Sequence, residues 1–413
     1  MNLNIIEPNY FKEFHCLCDK CKNTCCQSWS IFINRKEYIK CKNTPKSKEL
    51  QKKCDNSFRR FRRSDHPDKY ALLHFNENGK CPMLSPEGMC ELQIECGYKI
   101  LPQICKQFPR IHFIYLNSME RYLSTGCEEV VHLLMNLTDG IELINGGETN
   151  DENIGIRTVI AENANDLQSD KKFYWDIKTL LIKIMKNRNY SVEDRLILLG
   201  IAFKHIDELV KTDNGDKISS YVDGLIAACS DDSSMLDEIK NIGAKTQENS
   251  INFARILNVM TQLPSFKPDL QEKIKNAYGI VYNIRAETDT LNIELDSKKV
   301  EEQLNFLFNM ISGREYIIEN IMLNSMLYLN LPFSDTSLSF WDSYIYICMI
   351  YSLLMFFIAG NLTEKSDDRD IIDAITVFSR CLFHNMTLSK DIIETIKKNG
   401  FSSLGAMVSL IKF

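Results

Sequence analysis

The chain has 413 residues, a formal net charge of −6, and apolar and charged shares of 44% and 25%. These values are typical of a globular protein with room for two or three domains, and they exclude a largely disordered chain. The N-terminal residues lack a basic segment followed by an apolar one. We therefore expect no signal peptide and a cytoplasmic location.

The first 135 residues are predicted to form a small, irregular, cysteine-rich domain. Alternating apolar residues up to Ile33 predict a short strand, and helices are expected to begin near Asn34 and near Pro67. Two prolines and a glycine predict a turn at 81–90. A short helix is expected to follow it, and alternation over 111–127 predicts a β-hairpin.

The rest of the chain, 136–413, has helical apolar spacing and is predicted as an all-α domain. The polar, glycine-bearing stretch 136–170 is interpreted as a linker or an insertion. We place helix N-caps at Ser191, Asp367 and Ser389. Helices are predicted at 170–187, 191–211, 219–230, 251–262, 300–329, 343–362, 367–385 and 389–400.

One of these helices could be taken for a membrane span. Residues 343–363 carry no charge, and a segment of this length can cross a bilayer. The segment also holds three tyrosines and several other polar residues, and it stands alone in an otherwise charged chain. We therefore expect a central buried helix and no membrane span.

Cysteine and charge are both unevenly distributed. Twelve of the 15 cysteines precede residue 128, and the three later ones are interpreted as small buried side chains. Disulfides are disfavoured in a reducing compartment, so clustered thiols there indicate a metal site or catalysis. Between Arg35 and Arg63 there are 12 basic and 3 acidic residues. Such a stripe can dock an anionic partner, but most are solvated faces, and we expect no nucleic-acid partner.

The cysteine spacing favours an iron–sulfur cluster over zinc. Only Cys18 and Cys21 form a CxxC pair, whereas zinc ribbons usually carry two such pairs. Clusters accept looser spacing, so iron–sulfur suits the spread thiolates better and zinc is the alternative metal. A standard radical S-adenosylmethionine loop is excluded, because Ser28 stands where the third cysteine of Cx3Cx2C belongs.

Five segments together resemble one known family, the flagellin lysine-N-methylases (FliB-like). In place of that family's proline the chain has Glu128. The match covers 11–135 and 314–395. The segments are Phe14-x-Cys16-x4-Cys21-x3-Cys25-Cys26-x2-Trp29, 79–90, Leu101-Pro102-x2-Cys105-x2-Phe108-Pro109-Arg110, 124–129 and Phe378-Ser379-Arg380-x3-His384-Asn385.

The resemblance implies a [4Fe–4S] cluster and methyl transfer from S-adenosylmethionine to surface lysines of flagellin. One such cluster takes four protein thiolates, so about half of the cysteines at the family's positions have other roles. Among them Cys25, Cys26, Cys90 and Cys105 rank first. The eight cysteines at those positions are Cys16, Cys21, Cys25, Cys26, Cys81, Cys90, Cys105 and Cys127.

Catalytic residues are less clearly marked. There is no GxGxG turn for a nucleotide, and direct contact between S-adenosylmethionine and the cluster is one hypothesis for its binding. A base near the target amine is needed, for which Glu129 and Tyr122 are weak candidates. Arg380 and His384 would share one helix face, where they either tie the last helices together or bind a carboxylate.

The sequence leaves functions of different classes open. We predict a mainly α protein with a cysteine-rich domain at 1–135, which holds a short β-hairpin, and an all-α domain at 136–413. The first function is an S-adenosylmethionine-dependent protein lysine N-methyltransferase with flagellin as its partner. The alternative is a non-catalytic iron–sulfur or zinc-binding scaffold that binds a protein partner through the basic stripe. A redox or iron-handling protein is a third interpretation.

Overall fold

The computed structural model describes residues 2–27, 31–61, 69–77, 79–149, 157–168, 170–230, 237–242, 282–287, 290–295, 297–335, 337–383 and 388–412. Contacts divide the chain into two units. The first holds Met1–Leu133 and Glu142–Val159, and the second holds Leu134–Ile141 and Ile160–Phe413.

The described residues contain ten strands and fifteen α-helices. The strands are β1 (Leu3–Pro8), β2 (Ile31–Ile33), β3 (Phe58–Arg60), β4 (Ala71–Leu73), β5 (Arg110–Tyr115), β6 (Ser118–Leu123), β7 (Leu143–Thr149), β8 (Arg157–Ala161), β9 (Tyr282–Glu287) and β10 (Thr290–Leu295). The helices are α1 (Arg35–Asn43), α2 (Lys48–Ser57), α3 (Glu91–Cys96), α4 (Gln103–Gln107), α5 (Glu128–Met135), α6 (Tyr174–Met185), α7 (Val192–Lys211), α8 (Ile218–Ser230), α9 (Asp237–Lys240), α10 (Ser297–Met310), α11 (Tyr316–Tyr328), α12 (Phe340–Ala359), α13 (Asp368–Phe383), α14 (Leu388–Lys398) and α15 (Leu404–Ile411).

A five-stranded mixed sheet has the strand order β7-β1-β6-β5-β8. The predicted hairpin is confirmed as the antiparallel pair β5 and β6. Strand β1 runs parallel to β6 and antiparallel to β7, and neither β1 nor β7 was predicted. Strand β7 lies inside the polar stretch that we interpreted as a linker or insertion. Its polar side chains gave no strand pattern in the sequence, because backbone hydrogen bonds to β1 hold it at the edge of the sheet.

A second, three-stranded antiparallel sheet has the order β2-β4-β3. The strand predicted to end at Ile33 is confirmed as β2, and the helix predicted near Asn34 is α1. Asn34 caps α1, because its side chain accepts the N–H of Glu37 while the Glu37 carboxylate accepts the N–H of Asn34. The helix expected near Pro67 is wrong: Pro67 lies outside the described residues, and Ala71–Leu73 form strand β4.

The core beside this smaller sheet is built partly from thiols. Cys41, Cys54 and Cys81 are buried in it together with aliphatic side chains from β2, α2, β4 and α3. Cys26, Cys90, Cys96 and Cys105 pack against it while remaining partly exposed. The cysteine-rich part of the chain therefore has a core of its own.

The second unit is organised around α12. This helix packs against α7, α10, α13, α14 and α15. It is the one helix in the described residues that is long and apolar enough to cross a membrane, and its apolar window is wholly buried in the protein. The predicted central buried helix is thereby confirmed. Asp207 of α7 caps it, because the N–H groups of Phe340 and Trp341 donate to the Asp207 carboxylate at 2.9 and 3.0 Å.

The remaining helix predictions are confirmed in most places. Ser191 caps α7 and Asp367 accepts an N–H at the start of α13, whereas Ser389 is no cap because α14 begins at Leu388. The helix predicted at 300–329 is broken into α10 and α11 around Gly313, which has a φ of +73°. The helix predicted at 251–262 lies outside the described residues.

The mainly helical fold class is confirmed, but strands are more extensive than one hairpin. Strands β7 to β10 all follow residue 135, where we predicted an all-α domain with a linker or insertion at 136–170. Of the three late cysteines, Cys348 is fully buried, as predicted, and Cys229 and Cys381 are partly exposed. The domain boundary at 135 stays a prediction.

Candidate functional site

Four thiols of the first unit converge in what we call the thiol quartet: Cys26, Cys81, Cys90 and Cys105. Electrostatic interaction links all six pairs among these four sulfurs. All fifteen cysteines of the chain lie in its described part, and none of them forms a disulfide. Thiols drawn from segments this far apart in sequence are typical of a metal site rather than of chance packing.

Backbone hydrogen bonds hold the quartet together. The N–H of Cys81 donates to the carbonyl of Cys26 at 2.8 Å, and an antiparallel bridge pairs the residues beside them, Gln27 and Lys80. A second bridge pairs Leu84 with Cys90 across the predicted turn. That turn is confirmed, and it carries Cys81 and Cys90 to the same side of the chain. Helix α4 then supplies Cys105.

Burial and mutual repulsion favour the protonated form of three quartet thiols, Cys81, Cys90 and Cys105. Burial raises the pKa of Cys81 to about 12, and it also raises the pKa values of Cys90 and Cys105, with neighbouring thiols adding to the effect. Peptide N–H groups act in the opposite direction, because those of Met83 and of the first turn of α3 donate to the sulfurs of Cys81 and Cys90. The quartet is therefore able to exchange protons for a thiophilic metal.

The thiols are not already arranged as ligands. Among the described residues, no three His, Cys, Asp or Glu side chains are placed so that they could hold one metal ion. The donor set fits a soft metal or an iron–sulfur cluster chemically, since it offers four sulfurs and N–H groups aimed at two of them. Binding would draw the four sulfurs inward.

A second set of thiols, the Glu128 group, consists of Cys16, Cys21 and Cys127. The Glu128 carboxylate, 6% exposed, accepts the N–H groups of Lys22 and Asn23 at 2.8 and 2.9 Å. This clamp fixes the loop after Cys21 beside the residue after Cys127. Burial, followed by the charge of Glu128, raises the pKa of Cys21 to about 12. Glu128, which stands where the resemblance expects proline, is thus a structural anchor.

Seven of the eight predicted cysteines fall into these two sets, and the eighth, Cys25, is partly exposed. The quartet includes Cys81 alongside three of the four cysteines ranked first. Sequence spacing alone did not separate the two sets, because each draws its thiols from segments about a hundred residues apart. Ligand assignment stays a prediction.

The weak catalytic candidates lie in different surroundings. Tyr122 is fully buried, and its hydroxyl donates to the carboxylate of Glu120. Glu129 is partly buried, its pKa is raised by desolvation, and its carboxylate lies 3.8 Å from His132. Arg380 lies in α13 and is half-buried. His384 lies outside the described residues, so its pairing with Arg380 stays a prediction.

The second unit contains a cavity of about 540 Å³ that the sequence did not indicate. It is lined by the segment 188–195, the ends of α10 and α11, and Tyr351 of α12. At its wall Glu319, 1% exposed, accepts hydrogen bonds from both Arg188 and Arg195. The sequence feature that could have indicated this site is the single Glu in the apolar run of α11. A carboxylate buried in such a run needs a cationic partner.

Comparison with known proteins shows that the chain is similar to one protein family and to three curated bacterial proteins. The family model of the FliB lysine N-methylase C-terminal domain matches residues 178–410, more than half of the chain. Lysine-N-methylases of Salmonella typhimurium (strain LT2) and Salmonella choleraesuis (strain SC-B67) are each 28% identical over 144 residues, which is 34% of this chain and 35% of theirs. The flagellar biosynthetic protein FliU of Salmonella muenchen is 28% identical over 144 residues, which is 82% of its length.

These matches differ in extent. The aligned region spans about a third of the length of the two lysine-N-methylases. No solved structure matches the chain. The family model, in contrast, extends over most of the helical unit, from within α6 to within α15. The chain therefore belongs to the family defined by the FliB lysine N-methylase C-terminal domain.

Proposed function

We propose that this protein is an S-adenosylmethionine-dependent protein lysine N-methyltransferase that acts on flagellin in the cytoplasm. The observation that carries the proposal is the family match over residues 178–410. The names of the similar curated proteins, two lysine-N-methylases and a flagellar biosynthetic protein, support the reaction and the class of substrate.

We further propose that the thiol quartet holds an iron–sulfur cluster. Four sulfurs match the number that one [4Fe–4S] cluster takes, and N–H groups directed at Cys81 and Cys90 would offset the negative charge of the bound thiolates. When bound, the cluster would cross-link the Cys26 loop, the 81–90 turn and α4. The stability of the cysteine-rich core would then depend on the metal.

The reaction requires a neutral lysine amine. Its nitrogen attacks the methyl carbon bound to the cofactor sulfur, so a C–N bond forms, the C–S bond breaks, and S-adenosylhomocysteine leaves. The proton lost by the amine passes to a base. Glu129 supports such a role, because desolvation raises its pKa and makes its carboxylate a better proton acceptor.

Flagellin methylation tests the enzyme directly. Full-length protein, purified without oxygen, is incubated with flagellin and S-adenosylmethionine, and the intact mass of flagellin is measured. We expect increments of one methyl group on lysine, and none when the cofactor is omitted. Unchanged flagellin in the presence of an intact metal centre and the cofactor would overturn the enzyme and favour the scaffold.

Metal analysis of cysteine variants tests the quartet. We expect wild-type protein to contain iron and acid-labile sulfide, and Cys105→Ser to lose most of both. The matched control is Cys18→Ser, which removes an exposed thiol outside the quartet. If the protein contains zinc and no acid-labile sulfide, the site holds zinc instead of a cluster. If both variants contain the same amount of metal, the quartet is not the metal site.

A further inference from the structure

The wall of the cavity in the second unit holds a buried ion pair, Arg195 with Glu319, and a second guanidinium, Arg188, that is 44% exposed. Glu319 lies between two guanidinium groups: its carboxylate accepts Arg195 Nη1 at 2.7 Å and Arg188 Nη2 at 2.9 Å. One negative charge thus faces two positive charges. Hydrogen bonds to Glu319 raise the pKa of Arg188, so its guanidinium stays charged. Asp139 also interacts with Arg188, so the buried cation on the cavity wall is Arg195.

Arg195 is the part of this set that is open to a ligand. Its side chain is only 7% exposed, and it lines the cavity. Its Nε donates to the carbonyl of Tyr190, and its Nη1 donates to the carbonyl of Met185 and to Glu319. Within the described part of the chain, its second terminal nitrogen, Nη2, has no hydrogen-bond partner. An unpartnered N–H pair on a residue that lines a cavity suits a carboxylate, which a guanidinium binds with parallel hydrogen bonds.

Carboxylates lie on the same cavity wall. Glu193, two residues before Arg195 on α7, lines the cavity and accepts the hydroxyl of Tyr351 at 2.6 Å through one of its two oxygens. Glu315 at the start of α11 is exposed and also lines it. A cavity with a buried cation and more accessible anions matches a zwitterion, whose negative end binds Arg195 and whose positive end faces Glu193.

Aromatic rings complete the lining. Tyr316 and Tyr351 both border the cavity, and the guanidinium of Arg188 lies 5.8 Å from the ring centroid of Tyr316. Aromatic faces attract cations and stack on planar heterocycles. The cavity volume of about 540 Å³ lies within the range of small-molecule and cofactor sites.

We propose that this cavity binds a zwitterionic amino-acid ligand that carries an aromatic group, and that the ligand is S-adenosylmethionine. The α-carboxylate binds Arg195, the cationic end faces Glu193, and the purine packs on the tyrosines. The zwitterionic class follows from the side chains alone, whereas the identity of the ligand rests on the proposed function. This places the cofactor on side chains of the helical unit, in contrast to direct contact with a cluster.

Equilibrium binding to the full chain tests the proposal. Radiolabelled S-adenosylmethionine is dialysed against wild-type protein, Glu193→Gln, Arg195→Lys and the control Glu208→Gln. Glu208 is an exposed acid on the same helix, outside the cavity. We expect Glu193→Gln and Arg195→Lys to weaken binding by roughly tenfold or more, since the first loses its charge and the second loses the paired N–H groups of the guanidinium, and Glu208→Gln by less than about twofold. Glu193→Gln can still accept the hydrogen bond from Tyr351, so weaker binding by this variant would not be explained by misfolding.

The possible outcomes distinguish failure of the cavity proposal from failure of the proposed enzyme function. If wild-type protein binds the cofactor and both cavity variants bind it equally well, the cavity proposal is overturned while methylation of flagellin can still hold. If methionine binds in a Glu193-dependent manner but S-adenosylmethionine does not, the zwitterion site stands and the proposed function fails. Absence of binding by either compound overturns the site. A cofactor-induced change in the cluster spectrum that persists in both variants would also overturn it.

Discussion

The two units of the protein differ in the polar groups that are buried at their candidate sites. In the first unit, sulfur takes part in the core, and Cys81 lies beside Cys26, Cys90 and Cys105 with only peptide N–H groups to stabilise negative charge. In the second unit, buried ions neutralise one another, as Glu319 does with Arg188 and Arg195. At the quartet, neighbouring thiols therefore disfavour one another's negative charge, whereas Glu319 is neutralised by side chains of its own unit.

Breaking the buried ion set should have the largest effect. Glu319→Gln removes the one carboxylate between two guanidinium groups and leaves Arg195 buried without a counter-charge. We expect a loss of about 4 kcal/mol in the free energy of unfolding, measured by denaturant titration. The matched control is Asp368→Asn, which breaks the exposed pair with Arg314 and should cost less than about 1 kcal/mol. Equal losses in the two variants would contradict a buried ion set.

The helix contact at Gly200 should be nearly as sensitive. A Cβ added to Gly200 of α7 would lie 2.2 Å from Cζ of the buried Tyr344 of α12, so α7 and α12 would have to separate. We expect Gly200→Ala to destabilise the protein by about 3 kcal/mol in thermal unfolding. Gly224 of α8 has nothing within 4 Å of such a Cβ. Gly224→Ala should therefore be neutral or stabilising, since alanine favours helix; a similar loss there would reject the steric explanation.

The Glu128 clamp offers a corresponding test in the first unit. Glu128→Ala leaves the N–H groups of Lys22 and Asn23 without their acceptor. We expect a loss of about 2 kcal/mol, together with faster hydrogen exchange in the peptide that contains both amides. Glu129→Ala removes only the contact with His132 at 3.8 Å, and exchange at those amides should not change. Unaltered protection after Glu128→Ala would show that other contacts hold the loop.

The smallest expected effect is a pH-dependent one in the second unit. Lys390 and Ser337 lower the pKa of Asp335 to about 2. Because the folded pKa lies below the unfolded value, this stabilisation is present above about pH 4 and is lost as the pH falls through about 2. Asp335→Asn should cost less than about 1 kcal/mol at pH 6, since the pair with Lys390 is partly exposed, and less at pH 3. If the loss of unfolding free energy were the same at both pH values, the charge of Asp335 would not be its cause.

Local features of the chain were predictable because neighbouring residues encode them. Ser191 and Asp367 at helix starts, the turn at 81–90 and the long apolar helix α12 all follow from preferences within a few residues. Strand β7 could not be predicted in this way. Its residues pair with β1 through backbone hydrogen bonds, which do not require apolar side chains.

The sequence by itself determined that thiols cluster near the N terminus and that a helical region follows. Only the tertiary structure decided which thiols meet, since Cys26, Cys81, Cys90 and Cys105 come from three separate segments. The same holds for Arg195 and Glu319, which lie 124 residues apart and together line the cavity. Periodicity reports the conformation of one segment, whereas the meeting of distant sulfurs and charges depends on how the segments fold against each other.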